Sequence, residues 1–330
     1  MNDKASIIYS KINIKRNLEN YNFVDLLTED KKKKLEQEVI EYIDTWGEDI
    51  RLYDLNILND NEKKIYLDEN LIDDVFYKKA DGKFIIFNKI KSSILLNNDD
   101  HININIVEDD LTLKNTFDLV DKIERRLSGY FSFSASVKYG YLTSYVKDCG
   151  LGMKVYVLAQ LSGIKLLKKE KEIFKMYPER GYSIEPYYLI DGKESKIKDT
   201  DYYIISSRLN FGVSEKNLIS RFTQGIENLL KLNKKFLLEY YYKNKDELVD
   251  IIFRSYGILK YATRIDYMEA LEHITNIRIG LIIGENIPIT NKMLNNIFVK
   301  IKDGYVTKQS KLFNIDKQTA RANIIKKILE

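Results

Sequence analysis

Few residues in this 330-residue chain could do chemistry, and their spacing narrows the choice further. Asp99-Asp100-His101 brings two carboxylates and an imidazole together, a set that suits a metal ion. The stretch Asn97-Asn98-Asp99-Asp100 is equally the chemistry of a tight turn, so a hairpin connection is the competing reading. Gly150-Leu151-Gly152 suggests a phosphate-binding turn. It lacks the Lys-Ser/Thr of a P-loop and the third glycine of a dinucleotide fingerprint. Cys149 is the single cysteine and has no histidine near it in sequence, which favours a small core residue over a nucleophile. One cysteine excludes an internal disulfide framework and a multi-cysteine zinc site. Two histidines, His101 and His273, argue against a His-rich centre, and no metal is expected.

The elements that must position these residues read as follows. A helix is expected over 29–46, with Thr28 as N-cap, Glu29 and Asp30 at its positive start, and a stripe of Leu35, Val39, Tyr42, Ile43 and Trp46. The lysines at 31–34 read as its solvated face. Residues 7–14 give an apolar segment and then an alternation through Ile12 and Ile14. Strands are expected over 84–90, 93–96 and 102–107. In the last, Ile102, Ile104 and Ile106 face one way and His101, Asn103 and Asn105 the other. A helix over 113–128 ends before Gly129. Residues 131–142 read as extended, and the glycine turn at 150–152 opens a helical stretch through Met153, Val157 and Leu161. Strands follow at 182–190 and 202–209, then a long helix from Ser214 and Glu215 to about 242. Beyond 246 the segments 246–262, 266–283, 290–302 and 316–329 all read helical. The division is a mixed domain over 1–242 and a helical domain over 243–330, with no repeat and no flexible linker.

Composition agrees with a globular chain. Hydrophobic residues make up 44% and charged residues 31%, enough for a sizeable core and against bulk disorder. Three prolines and 15 glycines exclude collagen-like and Pro-rich architectures. The formal net charge of +4 is too mild for a nucleic-acid binder, so no such partner is expected. No apolar run is long enough for a membrane span, and the N-terminus lacks the apolar core of a signal peptide. The expected location is the cytoplasm.

The order of several segments resembles that of the ATP:guanidino phosphotransferases. Ser10-Lys11-Ile12-Asn13-Ile14-Lys15-Arg16-Asn17 is similar to their Ser-Arg-x-Arg-x-x-Arg-Asn segment. Asn97-Asn98-Asp99-Asp100-His101-Ile102-Asn103 is similar to their Asn-Glu-Glu-Asp-His-x-Arg. Gly140-Tyr141-Leu142-Thr143-Ser144 with Gly150-x-Gly152 resembles Gly-Tyr-Leu-Thr-Ser-Cys-Pro-x-Asn and the glycine turn after it. Ile204 to Glu215 resembles the late strand and helix start. The branch it resembles most is the bacterial protein-arginine kinase, matched in its helical C-terminal domain by Arg254-Ser255-Tyr256-Gly257-Ile258-Leu259 and Asn276-Ile277-Arg278-Ile279-Gly280. The resemblance implies an α+β fold, an antiparallel sheet flanked by helices with a helical C-terminal domain.

Phosphoryl transfer is mostly positioning and charge neutralisation, which the family achieves with arginines around the nucleotide phosphates. By resemblance, the nucleotide positions here are Ser10, Lys11, Asn13, His101, Asn103, Lys154 and Glu185. The catalytic positions are Asp99, Asp100 and Tyr145. Asp99 replaces a glutamate base, and Tyr145 stands where the family has a cysteine. The phosphoarginine-site equivalent is Lys317, Gln318 and Arg321, where the family has Arg-Asp-x-x-Arg-Ala. Only Ser10, Arg16, Asp100 and His101 keep the pattern at the catalytic and nucleotide segments. The resemblance with these replacements implies a pseudokinase, a regulatory or scaffolding protein in stress response or protein quality control. No cofactor is then expected. The alternative is an active kinase using Mg-ATP with a modified phosphate pocket. Expected partners are proteins: an intact arginine kinase, its activator or the Clp protease machinery, with a homodimer as a further expectation.

Overall fold

Strand β1 (Ile7–Arg16) sets the architecture through its alternation: Ile12 and Ile14 are fully buried on one face, while Lys11, Asn13 and Lys15 occupy the other. In the computed structural model, which describes residues 3–187, 189–190, 197–198 and 200–330, β1 lies inside an eight-stranded sheet. Helix α1 (Glu29–Asp44) buries Leu35, Val39 and Ile43, and Thr28 holds the N-cap position without a side-chain hydrogen bond. Lys31, Lys33 and Lys34 are exposed and Lys32 half-buried, as a solvated face requires. Strand β2 (Ile50–Asp54) and the short helices α2 (Asp60–Asp68) and α3 (Asp74–Tyr77) have no counterpart in the sequence reading. Asn59 and Glu62 start α2 with a reciprocal capping box, and Asp73 caps α3.

Strands β3 (Lys83–Phe87), β4 (Ser92–Leu96) and β5 (Ile102–Glu108) match the expected strands, and the turn chemistry of 97–100 joins β4 to β5 as a hairpin. Asn97 adopts a left-handed φ of 50° there, a conformation asparagine tolerates. Helix α4 (Leu113–Ser128) packs its apolar stripe under β1 and β5. The extended stretch after it holds only the short strands β6 (Ala135–Ser136) and β7 (Gly140–Tyr141).

The expected helix after the glycine turn is instead strand β8 (Met153–Gln160). Met153, Val157 and Leu161 recur every four residues, a spacing that satisfies a two-residue period as well as a helical one. β8 pairs with β1 on one side and β12 on the other. Central pairing of this kind buries nearly the whole strand and hides its alternation. Helices α5 (Ser162–Leu166) and α6 (Glu170–Phe174) lead to β9 (Tyr182–Pro186) and the two-residue strands β10 (Leu189–Ile190) and β11 (Ile197–Lys198). The strand expected over 182–190 is thus divided, with Tyr188 outside the described residues. Strand β12 (Tyr202–Ser207) completes the sheet, whose antiparallel order is β2-β3-β4-β5-β1-β8-β12-β9.

Helix α7 (Glu215–Lys243), capped by Ser214, crosses the apolar face of the sheet. The boundary expected at 242/243 falls one residue before its end. Helices α8 (Lys245–Tyr261), α9 (Tyr267–Ile283), α10 (Asn291–Lys300), α11 (Asp303–Phe313) and α12 (Lys317–Leu329) follow, of which α11 was not expected as a separate helix. They build a second core around Ile252, Ile274, Ile277, Leu294, Ile297 and Ile325. Leu271 and Phe298 of this group meet Ile8, Leu158 and Tyr202 of the sheet. α11 also packs on α2: the Gly304 N–H donates to Asp68 Oδ2 at 3.2 Å, and Tyr305 bonds the Glu69 carboxylate. Burial there pushes Asp68 up to about 6. Among the described residues, no helix is long and apolar enough to cross a membrane.

The packing of α5 on α7 depends on Gly163. A Cβ at this position would lie 2.0 Å from the Asn233 carbonyl oxygen, while Asn233 Oδ1 accepts from the N–H groups of Gly163 and Ile164 at 2.9 and 3.2 Å. Gly163→Ala is therefore expected to cost roughly 3 kcal/mol, because the backbone of α7 must move to admit a methyl group. Urea unfolding reads this as a lower midpoint at unchanged slope; an unchanged midpoint would show that the two helices have room to part.

Candidate functional site

The sheet presents a polar face opposite its apolar one. Register fixes its rows: Lys15 stands opposite Asn103, Asn13 between Asn105 and Lys154, and Lys11 beside Tyr156. Asn13 Nδ2 donates to Asn105 Oδ1 at 2.9 Å, and Asn105 Nδ2 turns to Ser93 Oγ at 3.3 Å. Asn103 is 1% exposed, and neither polar atom of its side chain has a hydrogen-bond partner. Lys154 lies 5.3 Å from the Tyr156 ring centroid, and burial holds its pKa below the usual lysine range against the opposing charge of Asp148.

One end of this face is covered by the connection between α2 and α3. Lys11 Nζ donates to the Asn70 carbonyl at 3.2 Å, and Ser93 Oγ donates to the Leu71 carbonyl. Asn98 Nδ2 reaches Asp73 Oδ2 at 2.8 Å. Burial lowers the Lys11 pKa to about 8, although Asp73 acts to raise it. A lysine so placed is a weak phosphate ligand: its ammonium is already committed to a carbonyl, and charging it costs desolvation.

The other end is a cluster of carboxylates. The turn from β4 to β5 supplies Asp99 and Asp100. Asp100 is fully buried; its Oδ1 accepts from Asn17 Nδ2 at 2.6 Å and from the Ser144 N–H at 2.7 Å. Lys15 Nζ lies 2.8 Å from Asp148, 3.5 Å from Asp99 and 4.0 Å from Asp100. The Tyr145 ring, 49% exposed, stands over it with its centroid 5.6 Å away. Burial lifts the Asp99 carboxyl above its ordinary range against the pull of Lys15. Burial acts to lower the Lys15 pKa, but the hydrogen bond and charge of Asp148, with Asp100 and Asp99, outweigh it and raise the value.

Likeness to known proteins shows what this face belongs to. Residues 31–236 match the family model for the ATP:guanido phosphotransferase C-terminal catalytic domain, and residues 245–330 match that for the protein-arginine kinase McsB C-terminal domain. The chain belongs to the bacterial protein-arginine kinase family. It is 28% identical over 330 residues to a protein-arginine kinase of Clostridium novyi, covering 98% of this chain and 95% of that one. A protein-arginine kinase of Clostridium perfringens is 29% identical over 323 residues, covering 93% and 91%. The fold is that of the guanidino kinases. The duplicated taurocyamine kinase of Schistosoma mansoni superposes with a TM-score of 0.61 at 17% identity over 71% of this chain, which spans 34% of that protein. A lombricine kinase gives 0.57 at 14% identity, covering 71% of this chain and 67% of the other.

Within this protein-arginine kinase homologue the expected site residues divide into groups. Lys11, Asn13, Asn103 and Lys154 share the polar face, and Asp99, Asp100 and Tyr145 gather at its carboxylate end. Glu185 is exposed on the edge strand β9, beyond β12. Its charge acts on Lys154 and Tyr156. Ser10 is fully buried and donates to the Asp110 carbonyl at 2.5 Å. His101 is fully buried as well: Nδ1 accepts from the Leu18 N–H at 2.9 Å, and Nε2 lies 2.8 Å from the Asn22 carbonyl. Burial lowers the ring's pKa, against the Asn22 carbonyl and the Asp100 charge, which act to raise it. Both residues tie main chain together.

In the helical region, Arg321 is 5% exposed and donates to the Ile301 and Ile265 carbonyls at 2.9 and 3.1 Å. The Gln318 main-chain carbonyl accepts from the Ile265 N–H at 3.3 Å, and Lys317 pairs with Asp303 at 3.4 Å. The Arg321 guanidinium is thereby committed to main-chain carbonyls. Cys149, 9% exposed, donates weakly to the Thr143 and Tyr145 carbonyls and packs as a small core residue. Among the described residues, no cluster of His, Cys, Asp and Glu suits a metal ion.

Sequence reasoning passed over Lys15, Asp148, Tyr156 and the 70–73 connection. The first had a signal, since residues 11, 13 and 15 must share a face of any strand. Asp148 and the connection lie in irregular segments whose contacts, at separations of 133 and 59 residues, have no local pattern.

Proposed function

We propose that this chain is a catalytically impaired protein-arginine kinase homologue that acts by binding protein partners, in a regulatory or scaffolding role within protein quality control. The observation that carries the reading is the commitment of the polar face to the chain's own groups. Lys11 is bonded to Asn70, Asn13 to Asn105, and the negative charge of Glu185 acts on Lys154 from the edge strand. Membership of the family implies Mg-ATP for an active member, whose triphosphate requires bidentate cations along this face. The residues present do not fit that group: asparagines stand at two cradle positions, a carboxylate at a third, and one of the two lysines has its ammonium capped by a carbonyl.

Calorimetric titration with Mg-ATP tests the reading. A Kd of about 1 mM or weaker is expected. Low micromolar binding would show a working nucleotide site and favour an active kinase that uses Lys11, Lys154 and Asp99.

A further inference from the structure

We propose that Lys15 is a resident cation: its ammonium fills a carboxylate pocket shaped for a guanidinium, and so keeps arginine side chains out. The inference rests on the reading of this chain as an impaired arginine-kinase homologue and names the residue that closes its substrate end.

Three carboxylates from two segments converge on one ammonium, Asp99 and Asp100 from the β4–β5 turn and Asp148 from the loop before β8. The side chain of Lys15 is only 15% exposed, so this is a pocket and not a surface pair. Only Asp148 is within ordinary hydrogen-bond distance, at 2.8 Å. Asp99 and Asp100 lie at 3.5 and 4.0 Å, held near the charge without a good bond to it.

The buried polar atoms around the ammonium show that it does not saturate the pocket. Asp100 Oδ2 has no hydrogen-bond partner although the residue is fully buried. Asn103, opposite Lys15 in register and 1% exposed, has neither its Oδ1 nor its Nδ2 bonded. Of these, Asp100 Oδ2 and Asn103 Oδ1 are buried acceptors left open, which is costly, and each marks a direction from which a donor would be welcome. An ammonium offers three donors from a single point. A guanidinium offers five in a planar fork and stacks on an aromatic face, which the Tyr145 ring above the pocket presents. The carboxylates, the open acceptors and the ring together match a guanidinium better than the ammonium that is there.

The test is binding of N-acetyl-arginine amide, a guanidinium without a free carboxylate, to wild type and to Lys15→Ala, measured by calorimetry. The variant is expected to bind at least roughly tenfold more tightly than wild type, since a charge-assisted contact is worth about that factor or more. N-acetyl-lysine amide serves as the control and is expected to gain less. Equal or weaker binding of the arginine probe by folded Lys15→Ala overturns the proposal, as does an equal gain for both probes.

Because removing the ammonium leaves carboxylates facing one another, Lys15→Arg provides a second measurement that needs no emptied pocket. It is expected to melt no lower than wild type, and a Tm several degrees lower overturns the guanidinium fit. Failure of the impaired-kinase reading is distinguishable: phosphoarginine formation by wild type would sink that reading, whereas an inactive wild type with no gain in Lys15→Ala sinks only this inference.

Discussion

Arg16→Met is expected to destabilise the protein by about 3–5 kcal/mol, the cost of leaving a buried charge without its partner. Arg16 is fully buried at the end of β1. Its Nε donates to Glu124 Oε1 at 2.7 Å, and Nη2 lies 2.6 Å from the same oxygen. Nη1 donates to the carbonyls of Lys15 and Leu151 at 2.7 and 3.0 Å, and the guanidinium stands 3.5 Å from the Tyr141 ring centroid. One side chain therefore joins β1, α4, β7 and the glycine turn before β8. Methionine would fill the volume and satisfy none of the oxygens. Urea unfolding of Arg16→Met, Glu124→Leu and the double variant checks the assignment. The double variant should recover part of the loss, because removing both charges spares Glu124 its desolvation. Additive losses would mean that the carbonyl contacts, and not the ion pair, carry the effect.

Wild-type protein is expected to form no detectable phosphoarginine on protein substrates, with no further loss in Asp99→Ala. By the sequence resemblance, Asn13, Asn103 and Glu185 fall at positions where the family carries phosphate arginines. Each missing charge-assisted contact costs about 1.5–3 kcal/mol, so three come to roughly three to six orders of magnitude. The base position adds to this. Asp99, which the resemblance sets at that position, is one methylene shorter than the family's glutamate, a setback of about 1 Å, and misplacement on that scale costs roughly 100-fold. Lys15 stands 3.5 Å from the carboxylate that would have to meet a substrate guanidinium. Mass spectrometry of phosphoarginine, with wild type and Asp99→Ala in parallel, reads the outcome. Robust formation by wild type that disappears in Asp99→Ala would make Asp99 a working base and the chain an active kinase.

What the sequence determined by itself was the identity of the elements with a strong local period, and the ordered motif segments. The alternations in β1 and β5, the stripe of α4 and the turn chemistry of 97–100 follow from side-chain spacing and local capping, which act over a few residues. The replaced motif positions were equally legible, because a residue type can be read without coordinates. β8 was misread because four-residue spacing in a largely buried strand is ambiguous between periods, and only its pairing with β1 and β12 resolves it. The helices α2 and α3 escaped because they are short and their apolar residues join the small cluster of Leu55, Phe76 and Phe84, whose members come from different elements and share no single period.

Tertiary structure alone decided the state of the site. Lys11 could be read as a phosphate ligand until the Asn70 carbonyl was found against it, and Arg321 as a free guanidinium until the Ile301 and Ile265 carbonyls were. Lys15 fell at an unspecified position of its motif segment; its meaning comes from three carboxylates that meet only in the folded chain. Sequence fixes which charges exist, but their pairing depends on distance and burial, and those are set by long-range packing.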